Sequence, residues 1–239
     1  LCPVCNQRIP EFERLPDYWF DNLERYQYVH SIFAAETANF LHYSCPQCGA
    51  ADRDRLYALY LKSRLNGDPC SFVDFAPAPA LSKLIRSRVA KYRSADLIAE
   101  GVDDKVDLTA LPYADNSLDA FLCSHVLEHI DDDRKAMGEL YRVLKPDGWG
   151  IAMVPIQLDL ERTMEGLGLE SDAERWKYYG QNDHVRMYSK PDFIARLQSV
   201  GFEVKQFGQS YFGEDMFRLH GLHPRSVLYV VEKHQQNAD

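Results

Sequence analysis

From residue 71 onward, short apolar runs alternate with stretches of helical periodicity, and this alternation restricts the possible folds more than any other feature. "SFVDFA" (71–76) is an apolar run of strand length, and "LSKLIRSRVAKY" (81–92) is helical. "YRSADLIA" (92–99) reads as a second strand carrying Asp96, "DKVDLTALPY" (104–113) as a third ending near Asp107, and "SLDAFLCSH" (117–125) as a fourth. In "DDDRKAMGELYRVL" (131–144), Met137, Leu140, Tyr141 and Leu144 line one side of a helix, and Asp131 to Asp133 sit near the positive end of its dipole. Lys145-Pro146-Asp147-Gly148 then turns the chain into a fifth strand, "WGIAMVPI" (149–156). Ser189 caps a further helix, "KPDFIARLQSV" (190–200), with Pro191 in its first turn and Gly201 at its end. Two more strands follow, "FEVKQFG" (202–208) and "SVLYVVEK" (226–233). Strands alternating with helices predict a largely parallel sheet covered on both faces.

Residues 1–50 have a different organisation. Cys2 and Cys5 form one C-x-x-C pair, and Cys45 and Cys48 form a second, followed by Gly49. Two such knuckles present four thiolates to one ion, as in a zinc ribbon, so structural Zn2+ is the expected occupant, with a rubredoxin-like iron centre as the alternative. Four thiolates leave no open position for catalysis. Residues 6–44 exceed what a minimal ribbon needs, so an insertion that includes the aromatic-rich "LPDYWFDNLERYQYV" (15–29) lies within the metal loop. Cys70 and Cys123 read as buried packing residues. The expected division is a zinc-binding segment over 1–50 and a second domain over 51–239. "DRLYALYLKSRL" (54–65) is its entry helix, ended by Asn66-Gly67-Asp68-Pro69, and the polar tail "HQQNAD" (234–239) reads as frayed.

The chain of 239 residues is 46% hydrophobic, enough for a sizeable core, and its net charge of −9 argues against a protein built mainly to grip a phosphate backbone. No apolar run is long enough to span a bilayer, and "LCPVCNQRIPEFER" has no signal-peptide hydrophobic region, so the expected location is cytoplasmic. The first residue is Leu1 rather than Met, which reads as a trimmed or processed end.

The run "DLTALPYADNSLDAFLCSHVLEHIDDDRKAMGELYRVLKPDGWGIAMVPI" (107–156) resembles the central part of class I S-adenosylmethionine (SAM)-dependent methyltransferases of the small-molecule type. With its "CPxC" knuckles, the "F-A-P" loop and the "G-Q-x-D-H-V-R" segment, the whole chain is similar to a subgroup that bears an N-terminal zinc ribbon. The resemblance implies an α/β, Rossmann-like seven-stranded sheet in the order 3-2-1-4-5-7-6, the seventh strand antiparallel, and SAM as methyl donor.

On that reading Asp96 accepts from the ribose hydroxyls, with Asp103 and Asp104 as competitors because the crossover between the second and third strands is short. Asp107 accepts from the adenine amine, and Leu108 packs on the ring. Phe75 and Ala76 offer backbone contacts. His125, in "SHVLEHI", stands beside the transferable methyl as a candidate base, and His129 lies four residues on. Arg53 and Arg55 follow the second knuckle, and Arg55 is the candidate for the methionyl carboxylate. The long stretch 157–188 is expected to be an active-site lid. Within it, His184 is the preferred base, Asp183 is expected to orient it, and Arg186 to hold a carboxylate or phosphate of the substrate. Each also has a plainer structural reading: a loop carboxylate, a pocket-shaping histidine, a salt-bridged loop.

"SFVDFAPAPA" (71–80) stands where nucleotide-binding domains carry glycines. Prolines lack the N–H groups that cradle a pyrophosphate, so the loop argues against NAD; SAM has no phosphate and needs only close backbone approach. The expected function is methyl transfer to an oxygen or nitrogen of a small polar acceptor, a sugar or natural-product intermediate, with nucleic acid and membrane partners not expected. The alternatives are a zinc-ribbon RNA methyltransferase and a SAM-binding interaction protein without catalysis.

Overall fold

A computed structural model describes residues 1–65 and 70–234, so the expected helix end at 66–69 and all of the tail beyond His234 lie outside the described residues. The central sheet has seven strands: β1 (Ser71–Phe75), β2 (Lys91–Asp96), β3 (Asp104–Lys105), β4 (Leu118–Ser124), β5 (Leu144–Met153), β8 (Glu203–Phe207) and β9 (Leu228–Glu232). Their order is β3-β2-β1-β4-β5-β9-β8, with β9 antiparallel to both neighbours. This is the expected 3-2-1-4-5-7-6 arrangement. Two further short strands, β6 (Met164–Glu165) and β7 (Arg186–Met187), pair as a separate ribbon.

The helices are α1 (Asp17–Arg25), α2 (Asp52–Arg64), α3 (Pro79–Arg86), α4 (Asp133–Val143), α5 (Asp172–Tyr179), α6 (Lys190–Ser199), α7 (Gln209–Phe212) and α8 (Glu214–Leu219). Asp132 and Ser189 cap α4 and α6 by accepting from Lys135 and Asp192 N–H groups. The central strands β1 and β4 are buried almost throughout, as a sheet covered on both faces requires. Gly150 on β5 passes so close to Phe121 that a Cβ there would stand 2.3 Å from the ring.

Three details depart from the sequence pattern. The third strand ends at Lys105, two residues short of the expected end near Asp107, because the carboxylates that follow β2 tie the crossover into turns. Asp103 accepts from the Ser94 N–H at 2.8 Å, and Asp107 accepts from both the N–H and the hydroxyl of Thr109 at 2.8 Å. The fifth strand begins at Leu144, five residues early, with a register shift against β4 between Leu118 and Ala120. Helices α7 and α8, absent from the periodicity reading, fill the connection between β8 and β9.

Residues 1–50 pack into the same core as the sheet: Cys2, Val4, Phe12, Cys45 and Ala50 join one continuous apolar cluster with the strands. The insertion reaches further. Ala35 bridges Gln157, the Leu158 N–H donates to Ala34 O, and Glu36 is buried against Lys190 Nζ and Tyr229 Oη. Helix α1 stacks its aromatics on α5, with the rings of Trp19 and Trp176 5.6 Å apart. Among the described residues no helix is long and apolar enough to cross a membrane.

Candidate active site

Two clefts open at the carboxyl end of the parallel strands. The first, of about 440 Å³, lies at the β1–β2 rim and is lined by Ala76, Pro77, Asp96 and Gly101 among others. Ala76 has φ +53°, a left-handed conformation that glycine would adopt at lower cost. Its N–H donates to Ala95 O at 2.9 Å, which leaves the carbonyl for the expected backbone contact. Phe75 is buried, with its ring against Phe121.

The carboxylates share one arrangement. Asp96 turns Oδ1 back to the Ile98 and Ala99 N–H groups, and Asp107 turns Oδ1 to Thr109, while no bond to Oδ2 of either occurs among the described residues. Leu97 and Ile98, next to Asp96, are exposed although apolar, and Leu108 is buried with no acceptor for its N–H among the described residues. Asp103 is engaged by Ser94, and Asp104 by Arg93 and Tyr113, which leaves Asp96 as the β2 carboxylate open to a ligand. Asp74, one residue before Phe75, went unnoticed in the sequence reading. Its Oδ2 accepts from Ser82 and Tyr92, its buried Oδ1 accepts nothing among the described residues, and burial pushes its carboxyl up to about 6.

The second cleft, of about 420 Å³, has one wall from the insertion (Leu15, Trp19, Tyr28, Phe40), one from β5 and the loop after it, and a polar end. That end carries His125, Glu128, His129, Gln181 and His184, with Arg53 on the rim. His125 follows β4 with φ +56°, and its N–H donates to Met153 O. Burial and the nearby Arg53 charge push its imidazole down. Its Nδ1 lies 3.3 Å from Glu128 Oε1, an ion-pair distance without hydrogen-bond alignment. Burial alone would raise the Glu128 carboxyl, but His125, His184 and His129 outweigh it and hold it below the ordinary range. His184 is buried, and burial lowers its pKa, so it is neutral at neutral pH.

Three expected roles need correction. Arg55 does not face a cofactor: it is fully buried and donates to the carbonyls of His42, Tyr43, Ala50, His220 and Gly221, stapling the metal segment to the chain beyond α8. Arg53, which donates to Tyr43 Oη, is the arginine on the cleft. Arg186 is likewise buried. Its donors go to Glu165 and to the carbonyls of Leu127, Ile130 and Asp131, and Glu165 and Asp133 also pair with Arg196. All three of its nitrogens are engaged within the protein, which corrects the expected substrate contact, and the stretch 157–188 is pinned by this buried network. Asp183 sits with His129 rather than His184, Oδ2 being 3.5 Å from His129 Nδ1.

The four knuckle sulfurs lie within 4.8 Å of one another, with Cys2–Cys48 at 3.8 Å and Cys5–Cys45 at 4.0 Å. A tetrahedron of Zn–S bonds of about 2.3 Å has edges of about 3.8 Å, so the four thiolates fit such an ion.

Residues 60–152 match the methyltransferase domain family. That match and the sheet order together support a class I methyltransferase domain. Its fold is similar to that of a SAM-dependent methyltransferase from Mesorhizobium loti, with TM-score 0.52 and 12% identity over 74% of this chain and 97% of that one. It is also similar to the cyclase SpnF, with TM-score 0.51 and 15% identity over 96% of this chain and 100% of that one. In sequence the methyltransferase domain is 28% identical to the ubiquinone/menaquinone biosynthesis C-methyltransferase UbiE of Escherichia coli, over 47% of this chain and 50% of that protein. The chain thus spans about half the length of the curated relatives it matches. A cyclase on the same fold shows that the chemistry has to be argued from the site.

Proposed function

We propose that the chain transfers a methyl group from SAM to an oxygen or nitrogen of a small acceptor. The observation that carries this reading is the pair Asp96 and Asp107, each with Oδ1 tied to its own loop and Oδ2 open, on the rim that ends beside His125. When bound, SAM supplies an electrophilic methyl on a sulfonium. Asp96 would hold the ribose hydroxyls, Asp107 and the Leu108 N–H the adenine edge, and Leu97 or Ile98 the ring face. The orphaned Asp74 Oδ1 suits the methionyl amine. Phosphate plays no part, so prolines at 77 and 79 cost nothing in binding.

The acceptor occupies the second cleft. Its apolar walls fit a natural-product intermediate better than a sugar, with the reacting hydroxyl or amine at the histidine end. Holding nucleophile and methyl in line supplies most of the acceleration. His125 takes the proton that the acceptor releases on gaining the methyl, and His184 is the second imidazole able to do so. The UbiE likeness leaves carbon as the other acceptor atom, which the same base would serve. An RNA substrate is disfavoured by the net charge of −9 and by the narrow apolar cleft. We further propose that Cys2, Cys5, Cys45 and Cys48 hold structural zinc.

The test is ligand-induced stabilisation. At a hundredfold excess over Kd, SAM or its demethylated product should raise Tm by about 5–10 °C, and Asp107→Ala should abolish the shift. No shift with either ligand would defeat the methyltransferase and the RNA readings together.

A further inference from the structure

We propose a second metal site, formed by Glu128, His129 and His184 at the polar end of the acceptor cleft, which takes a divalent first-row cation such as Zn2+. One ligand atom from each of these residues lies within 4.8 Å of the others. Ligand atoms bound tetrahedrally at 2.0–2.1 Å stand about 3.3–3.4 Å apart, so closure needs each side chain to move by under about 1 Å.

The protonation pattern is already that of a ligand set. His129 Nδ1 lies 3.2 Å from Asp183 O, and His184 Nδ1 lies 3.2 Å from Tyr179 O. A carbonyl only accepts, so both Nδ1 atoms carry the hydrogen and both Nε2 atoms carry the lone pair. His129 Nε2 stands 3.9 Å from Glu128 Oε1. The carboxylate of Asp183 beside His129 Nδ1 completes the outer support seen around metal-bound imidazoles.

Glu128 is the independent observation. It is 1% exposed, neither of its oxygens has an aligned hydrogen-bond donor among the described residues although His125 Nδ1 approaches Oε1 to 3.3 Å, and it lines the cleft. A buried carboxylate with no donor is a costly arrangement that a cation would relieve. Two imidazoles and a carboxylate suit zinc or its neighbours, and three protein ligands leave a position open towards the acceptor. The cation would there bind the acceptor's hydroxyl oxygen and make its proton easier to lose; this use of the site, unlike the site itself, rests on the methyl-transfer reading.

The experiment counts metal on the full chain. Protein equilibrated with excess Zn2+ and passed through a desalting column should carry two zinc ions per chain. Glu128→Gln and His184→Gln should each carry one, held by the four cysteines. In Co2+-loaded protein the thiolate charge-transfer bands should persist in both variants, showing that they fold, while the weaker ligand-field bands of the second ion disappear. One ion per chain in the wild type, or two in both variants, would overturn the proposal. SAM-induced stabilisation measured on the same samples reports on the methyltransferase reading separately, because metal count and cofactor shift can fail independently.

Discussion

His129 and His184 meet edge to face with ring centroids 4.8 Å apart, each holding its Nδ1 against the carbonyl of a residue in or just after α5. Their Nε2 atoms are the reactive edges of the cleft. His184→Ala should therefore lower kcat by about 100-fold, the scale of a lost acid–base or metal contribution, with SAM-induced stabilisation kept. Unchanged turnover in an acceptor assay would remove His184 from the machinery.

The two arginines after the second knuckle should separate by phenotype. Arg55→Ala leaves five buried carbonyls without their donor and should cost more than about 3 kcal/mol in urea unfolding. Arg53→Ala should cost less stability and weaken ligand binding at the cleft. Equal losses of stability would contradict the staple assigned to Arg55.

Arg186 acts through the turn that carries Glu128 and His129, since it donates to the carbonyls of Leu127, Ile130 and Asp131. It is a positioning residue. Arg186→Lys cannot reproduce the fork and should lower both stability, by about 2–4 kcal/mol, and turnover, with KM for the acceptor rising less than kcat falls. A large rise in KM with kcat preserved would instead indicate direct substrate contact.

Asp74 predicts a pH dependence. Its folded pKa of about 6 lies above the ordinary 3.8, so the folded chain binds more protons than the unfolded one between those values. Its contribution to stability is full below about pH 4 and is lost as pH rises through about 6, a change of about 3 kcal/mol. Asp74→Asn should flatten that segment of the curve of unfolding free energy against pH. If the slope between pH 4 and 6 is the same in both proteins, the buried carboxyl is not its source.

Removal of the zinc proposed at the four cysteines should loosen the insertion wall of the second cleft as well as the ribbon. Cys45→Ser, or prolonged chelation, should lower Tm by several degrees and change the near-ultraviolet circular dichroism of Trp19 and Trp176, which pack across the insertion. A variant with unaltered aromatic signal would show that the insertion holds its place without the metal.

The strands were legible because each central one is a short apolar run bounded by turn residues, while their order came from the family resemblance; the cap at Ser189 is written locally. The cysteine cluster was legible for the same reason, its spacing being local to each knuckle. The roles of Arg55, Arg186 and Asp183 were not, because each is decided by carbonyls or rings far along the chain: His220 for Arg55, Leu127 for Arg186, His129 for Asp183. Residue type announces a charged donor, but only packing decides whether a ligand or the backbone receives it. Asp74 and Glu128 read in the sequence as ordinary acids; their distinction is a buried oxygen without a donor among the described residues, which has no local signature.

The insertion between Cys5 and Cys45 begins and ends on the same four-sulfur cluster and supplies one wall of the acceptor cleft. Closing a loop grows only slowly more costly with its length, about 0.6 kcal/mol per doubling. A lineage carrying this scaffold can therefore rewrite the cleft-facing positions of the insertion, such as Trp19 and Leu23, while the rim on β1 and β2 stays untouched. Acceptor choice becomes an evolvable property of a single clasped loop, open to exchange between homologues by grafting that loop alone.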